Sequence, residues 1–557
     1  MRFGFFSTGV SIGVLGLAAF TGCGGSNDEK KVPQGSLGGA CDPGAASPCS
    51  GNLECTARSQ GGNVCTSPAG TVCNPSDDKL VNGGCAESAT CAKKDDATTA
   101  TCLVKEGGDC DPDAQADYCD NGMVCSEIED GKHRCYGELL LRGEVEDASN
   151  AAAIEGAAVM AVNDEGFAVT SVAHTDAMGN YELPVPAVRH DDGTPVSTNY
   201  TLRAAAQDYQ AFPSGVRVAL PIDVAGATLE DKSYVVQNAL TTIDLIPLPA
   251  GDRSTISGSI VALDSAPAGA VGGVLVVAKG TDQAVSGLSD KTGDFTIFNV
   301  PAGDYQLTAY AAGLQIESKS VSVTSNPLEG VELKELDQST TTVSGSVQIV
   351  NASGTAATSV ILVVEDTFDA NSARGEVPRG LRAPEKGDPN VSGSFSISGV
   401  PVGKYVVLAA YENDGLVRDP DTNISGTDFV HLEVTAGQPT MAISTSFKVT
   451  GALGTVSPGA GAPEAVTDKP DLVWLDDSSE DWYDLHVFDA LGNEVWNSLK
   501  IPGVSGSTNV TVKYAGPLDP GMYYQFRVSS WRQPGKGTAS PIATTEDLRG
   551  VFYLPAQ

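Results

Sequence analysis

Apolar and polar residues alternate with a period of two through residues 289–313, SDKTGDFTIFNVPAGDYQLTAYAAG. Phe295, Ile297, Leu307 and Ala309 fall at every second position, as in strands with one buried face. Asp290 and Gly293 bracket a tight turn, where Gly can take positive φ. Val300-Pro301-Ala302-Gly303 marks a second turn, because Pro and Gly end a strand. The spacing predicts a unit of strand, turn and strand, too small to bury its own apolar face.

The chain writes this unit three times. One copy is DAMGNYELPVPA (176–187), continued after an insertion by NYTLRAAAQDY (199–209), and another is NVSGSFSISGVPVGKYVVLAAYEN (390–413). Each copy has Gly-x-aromatic (Gly179-Tyr181, Gly293-Phe295, Gly393-Phe395), then Pro (Pro186, Pro301, Pro401), then a run led by Tyr (Tyr200, Tyr305, Tyr405). The glycines lie 114 and 100 residues apart, which predicts β-sandwiches of about 100 residues each. The predicted fold class is all-β: tandem Greek-key sandwiches behind a disulfide-rich, loop-dominated N-terminal region.

Length and charge narrow the picture. The 557 residues suffice for several domains. A net charge of −36, from 34 Lys plus Arg against 70 Asp plus Glu, argues against nucleic acid as a partner. In residues 1–23 the sole charge is Arg2, and Phe3 to Phe20 form an apolar run ending at Thr21-Gly22-Cys23. This resembles the bacterial lipoprotein signal, with Phe20 where Leu is usual. The resemblance implies a signal peptide over 1–22, a lipid on Cys23, and a membrane as the partner of that lipid. Gly24, which is not Asp, implies sorting to the outer membrane, so the expected location is the cell envelope.

Residues 23–38 read as a polar linker. Twelve Cys follow in the region 39–136, in three sets of four: Cys41, Cys49, Cys55, Cys65; Cys73, Cys85, Cys91, Cys102; Cys110, Cys119, Cys125, Cys135. Five residues separate the second and third Cys of every set. An even count behind an export signal predicts disulfides, two per set, with three pairings open in each. Segments this short need such staples to fold. Zinc is disfavoured, because no two Cys stand two to four residues apart. Asp109, Asp111, Asp113, Asp117 and Asp120 lack the Gly and terminal Glu of an EF-hand and are expected in a solvated turn.

Three sandwiches are expected over 137–251, 252–340 and 341–446. Gly143, Gly156, Asp176, Gly179 and Tyr181 carry a recurring pattern; so do Gly258, Asp290, Gly293, Phe295, Pro301, Gly303 and Tyr305. The third copy keeps Gly345, Gly393, Phe395, Pro401, Gly403 and Tyr405 and lacks the Asp. The pattern resembles the carboxypeptidase regulatory-like (transthyretin-like) domain. That resemblance implies a seven-stranded Greek-key sandwich with no catalysis of its own. The insertion Asn371–Pro389 is expected to be an exposed loop.

The last stretch, 447–557, holds all four Trp: Trp474, Trp482, Trp496 and Trp531. LDPGMYYQFRVSSW (518–531) resembles the fibronectin type III pattern, with Trp474 and Tyr524 at its matching positions. Tyr524, Phe526 and Val528 are expected to point inward and Gln525 and Arg527 outward. Trp482 and Trp496, expected at strand ends, are the candidates for stacking on a sugar; core packing is the competing reading.

Candidate chemistry is sparse. The five His (His133, His174, His190, His431, His486) are scattered, and no phosphate-binding or dinucleotide motif appears. The sole G-x-S-x-G spans Gly9–Gly13, inside the leader. Lys386-Gly387-Asp388 reads as coincidence in a Gly- and Asp-rich chain. No catalytic residue, metal or cofactor is expected. The expected function is a non-catalytic, lipid-anchored surface protein, a structural and adhesive multi-domain stalk. Four sandwiches in file would reach on the order of 130 Å. The alternatives are a glycan-binding lipoprotein and an envelope hydrolase or its accessory subunit. The expected partners are the membrane and cell-surface glycans or envelope proteins.

Overall fold

The computed structural model describes residues 33–556 except 78–79, 95–96, 115, 117, 282, 350–357, 371–373, 385–390, 392, 412–418, 421–428, 450–451, 478, 505–508 and 547. The leader, Cys23, Asp117 and Lys386-Gly387-Asp388 lie outside the described residues. The architecture is all-β: many small sheets behind a disulfide-rich start.

The chain forms two compact units, Met1–Lys105 and Glu106–Gln557. The Cys-rich region is therefore not one body, since its third set belongs to the second unit. Each set has the same plan. Its third and fourth Cys face each other across a hairpin (Cys55 and Cys65, Cys91 and Cys102, Cys125 and Cys135). Each then bonds back to a Cys of the preceding loop. The pairs are Cys41–Cys55 and Cys49–Cys65, Cys73–Cys91 and Cys85–Cys102, Cys110–Cys125 and Cys119–Cys135. First-to-third and second-to-fourth pairing thus recurs, and two crossed staples pin each loop to its hairpin. Closing loops of this length contributes about 3 kcal/mol per bridge on the chain-entropy model.

The first three sandwiches share one design. A long first strand runs down the middle of one sheet: Leu139–Asp147, Arg253–Val261 or Thr341–Ile349. The first strand of the repeated unit lies antiparallel beside it: Asn180–Pro184, Asp294–Pro301 or Ser394–Val400. The last strand lies parallel on the other side: Thr242–Leu245, Leu328–Lys334 or Thr440–Val449. The second sheet pairs the Tyr-led strand (Asn199–Ala205, Gly303–Tyr310 or Gly403–Tyr411) with Ala158–Asn163, Leu275–Lys279 or Thr358–Val364.

The repeated residues turn out to be contacts. The Gly of each first strand is the direct cross-strand partner of the repeated aromatic: Gly143 of Tyr181, Gly258 of Phe295, Gly345 of Phe395. The ring lies over the bare Cα, and the last strand closes in from the other side. A Cβ on Gly258 would stand 1.9 Å from the Val331 carbonyl oxygen and 3.0 Å from the Phe295 ring; on Gly143, 1.8 Å from the Thr241 oxygen. The aromatic fills the volume the glycine leaves. The repeated Pro and Tyr are also paired. The hydroxyl of Tyr200 donates to the Pro186 carbonyl at 2.5 Å, Tyr305 to Pro301 at 2.9 Å, and Tyr405 to Pro401 at 2.9 Å. Each bond ties the start of the Tyr-led strand to the turn before it, and satisfies a Tyr hydroxyl whose ring is buried.

The last sandwich packs Thr455–Ser457, Asp471–Leu475 and Asn509–Lys513 against a sheet ordered Glu464–Ala465, Val551–Tyr553, Tyr523–Arg532, Trp482–Asp489 and Glu494–Pro502. Ser540–Thr544 also pairs with Tyr523–Arg532. Trp474 is fully buried and meets Tyr483 edge-on at 5.5 Å. The Tyr524 hydroxyl accepts from Asp519 N–H at 3.0 Å, a tie from strand to preceding corner like that in immunoglobulin-type sandwiches. Gln525 departs from expectation. It is buried, because Val551 lies opposite it, and its Nε2 donates to the Arg549 carbonyl at 3.0 Å.

The sandwiches do not stand in file. The first touches the second through Asn299, whose Nδ2 donates to the Ala206 and Tyr209 carbonyls at 3.0 and 2.8 Å. It touches the last through Gln210 Nε2, which donates to the Ala490 carbonyl at 2.7 Å, and through an apolar patch of Ala148, Val216 and Ile246 against Ala490 and Val551. Leu275, Val277 and Tyr310 of the second run into the core of the third, where Tyr310 meets Tyr405 edge-on at 5.9 Å. The insertion of the third sandwich is docked, at least over residues 374–384. Leu381 is fully buried and Arg379 lies 3.8 Å over the Phe167 ring of the first sandwich. The in-file reach of the sequence reading is shortened accordingly.

Gly258→Ala is expected to cost about 3 kcal/mol, since neither the strand carbonyl nor the ring can move away. Hydrogen exchange of the amides in Arg253–Val261 reads the loss locally. Gly303→Ala, whose Cβ would stand 3.6 Å from its nearest atom, should leave those amides almost unchanged.

Candidate functional site

The two sugar-stacking candidates part company. Trp482 opens the strand Trp482–Asp489, and Trp531 is its direct partner on the neighbouring strand. Their rings are parallel within 6° with centroids 6.1 Å apart. Neighbours of Trp482 in the strand alternate, so Tyr483 faces the core while Trp482 lies half-buried on the outer face. Lys500 Nζ sits 4.4 Å from the Trp482 ring centroid, and Pro541 pairs with Trp531 on the far side. A row of Lys, Trp, Trp and Pro thus crosses four adjacent strands. The cation is drawn to the indole face and the two rings stack. The row is self-contained: Trp482 already has an ammonium and a second indole as neighbours. The indole N–H groups of both tryptophans are buried without a partner.

Trp496 lies within the strand Glu494–Pro502 rather than at its end, opposite Val487. It packs against the core, and its ring meets Tyr514 at 5.3 Å with planes at 90°. It stands apart from the Trp482–Trp531 row and belongs to the core. Sequence reasoning missed Trp531, which alternation placed inside a strand. The signal was its register with Trp482, which only the sheet supplies.

Acidic groups surround the base of the row, and Asp476, Asp477 and Asp481 have structural tasks, while Glu480 Oε2 is buried without a hydrogen-bond partner. Asp476 Oδ1 accepts from the Tyr483 hydroxyl at 2.9 Å, and Asp477 Oδ2 from Ser530 Oγ at 2.9 Å. Asp481 Oδ2 accepts from Gln533 N–H at 2.6 Å. Glu480 is raised above the usual carboxylate range, chiefly by burial and then by the charges of Asp476 and Asp477.

The histidines are scattered here too. His190 pairs with Glu129 at 2.8 Å, His431 with Glu365 at 2.7 Å and His486 with Glu494 at 3.2 Å. Asn497, and after it His486, hold Glu494 below its ordinary range. The closest groupings of metal-type ligands among the described residues are cysteines, such as Cys41, Cys49 and Cys55 with sulfurs within 4.8 Å. Those sulfurs are spent in disulfides, and zinc binds thiolate. Asp111 caps Asp113 N–H at 3.0 Å and Asp109 pairs with Arg134 at 3.4 Å.

Comparison with known proteins gives three results. A model of the family described as polysaccharide lyase family 4, domain II, matches residues 286–328. This fibronectin-like match falls on the second sandwich, whereas the sequence reading places its fibronectin resemblance on 447–557. No curated protein matches the chain. Among solved structures, the Bacillus anthracis TIE protein matches at TM-score 0.14 and 11% identity, over 75% of this chain and 72% of that one. A streptococcal ancillary pilin matches at TM-score 0.15 and 11% identity, over 56% and 99%. BcpA, the major pilin subunit of Bacillus cereus, matches at 0.15 and 10%, over 56% and 98%. Among the described residues no helix is long and apolar enough to cross a membrane.

Trp496→Ala is expected to destabilise the last sandwich by about 3 kcal/mol, because a ring packed on the core leaves a cavity. Trp531→Ala should cost about half as much, since its ring is half-exposed. Urea unfolding followed by Tyr and Trp fluorescence ranks the two, and the reverse order contradicts these placements.

Proposed function

We propose that this chain is a non-catalytic, lipid-anchored protein of the cell surface, in which a disulfide-stapled stem carries a block of β-sandwiches as a structural and adhesive scaffold. One observation carries the reading: the side chains that could do chemistry are committed to holding the fold. The described cysteines close disulfides, the acids at repeated turns cap backbone N–H groups, and His190, His431 and His486 sit in half-exposed ion pairs. The leader and Cys23 support the tether, and Gly24 supports the outer membrane. The resemblance of the first three sandwiches to carboxypeptidase regulatory-like domains supports a scaffold role.

A second reading is favoured by the match of 286–328 to a polysaccharide lyase domain. On it the sandwiches bind a polysaccharide without cleaving it, and Trp482 with Trp531 is the aromatic surface to test.

Cys23→Ala is expected to shift the protein from the membrane fraction to the soluble one, and mass spectrometry should find an acylated amino end only in the wild type. Unchanged membrane retention would count against the tether. For the second reading, retention on insoluble polysaccharide should fall about fivefold in Trp482→Ala and in Trp531→Ala, each stack being worth about 1 kcal/mol. Absence of wild-type retention removes that reading and leaves the scaffold.

A further inference from the structure

The docked part of the insertion, residues 374–384, belongs structurally to the third sandwich. Val364 N–H donates to the Glu376 carbonyl at 2.9 Å and Leu362 N–H to the Leu381 carbonyl at 3.0 Å, so the segment rides on the strand Thr358–Val364. Leu381 is fully buried in that sandwich's core. The outer side of the segment grips two other sandwiches. The Arg379 guanidinium lies 3.8 Å over the Phe167 ring of the first and donates through Nη2 to the Ala270 carbonyl of the second at 2.8 Å. The Arg379 carbonyl accepts from Ala312 N–H of the second at 2.9 Å. Arg374 donates through Nη1 to the Gly215 carbonyl of the first.

We propose that residues 374–384 are a strap that closes the third sandwich onto the first, and that the strap can release from the first while every sandwich stays folded. Two features make it the weaker joint. First, among the described residues its hold on the first sandwich is a cation on a ring, the Arg374 contact and the attraction of Glu376 for Arg203, whereas each sandwich keeps a contiguous apolar core. Second, Arg379 is buried at a cost. Its Nε has no partner, and burial alone pushes the guanidinium down to about 10. A buried cation with no acid beside it among the described residues offsets part of what its contacts contribute. Release would bare Phe167 and the half-buried Arg203 on the face of the first sandwich. Tyr310 against Tyr405 would still hold the third to the second. The inference concerns the joint alone and does not depend on tether or ligand.

The strap contains its own reporter, because trypsin cleaves after Arg. Cleavage between Arg379 and Gly380 requires Arg379 to leave the Phe167 ring together with its contacts to Ala270 and Ala312, so its rate follows the open fraction when opening is fast. Arg58, exposed in the first unit, serves as an internal clock. In the full chain, Phe167→Ala is expected to accelerate cleavage after Arg379 about tenfold relative to Arg58. Cleavage after Arg253 and Lys334, within strands of the second sandwich, should not change. If Phe167→Ala instead speeds cleavage at all sites, Arg379→Lys, which keeps a trypsin site and loses the planar stack, must give the selective acceleration. No selective acceleration in either variant, or wild-type cleavage after Arg379 as fast as after Arg58, overturns the proposal.

Discussion

A bare Cα under an aromatic ring is the contact on which three of the four sandwiches depend. Gly143, Gly258 and Gly345 each meet the ring of the repeated unit, and in the first two the approaching carbonyl belongs to Thr241 or Val331. The first strand holds an antiparallel partner on one edge and a parallel one on the other, and at Gly143 and Gly258 the chain on the parallel side comes too close for a Cβ. The buried ring then restores the packing density that the missing side chain removes. The bond from Tyr to Pro locks the second half of the unit onto the first, so the repeat sets strand order and strand spacing together.

Close approach at glycine also joins the sandwiches. A Cβ on Gly215 would stand 2.2 Å from the Ala490 carbonyl, and one on Gly521 1.8 Å from the Ala148 carbonyl. Both joints lie between the first and last sandwiches and bring backbone against backbone beside the apolar patch. The insertion in the first sandwich has a comparable purpose. Arg189, fully buried, donates to the Gly137 carbonyl at 2.9 Å and lies 5.0 Å from the Tyr234 ring centroid, while the Tyr136 hydroxyl donates to the Asp191 carbonyl at 2.7 Å. The third disulfide hairpin is seated there. Its membership of the second unit follows from that seat rather than from its resemblance to the first two sets.

The polar chemistry of the chain is turned inward on the fold. Asp290 shows how. Its Oδ1 accepts from Thr292 N–H at 2.8 Å to close the repeat's turn, and its Oδ2 accepts from Val172 N–H of the first sandwich at 3.1 Å. One carboxylate thus shapes a turn and fastens a joint, and its burial is compensated by donors on both oxygens. The Trp482–Trp531 row behaves likewise, filling the outer face of its sheet with its own cation and proline.

Local rules carried the reading of this chain a long way. Period-two alternation marks strands because a pleat sends successive side chains to opposite faces, and it placed Phe295, Ile297, Leu307 and Ala309 in the core. The even, regular cysteine spacing marked disulfides because short exported loops need covalent closure. What alternation cannot carry is which strand lies beside which. Tertiary contact made partners of Trp482 and Trp531, put Trp496 on Tyr514, buried Gln525 under Val551, chose one disulfide pairing of three, and brought an Arg- and Pro-rich insertion down onto Phe167. Each of those outcomes rests on a contact between residues far apart in the chain, and distance in space is the one quantity a linear order of residues does not contain.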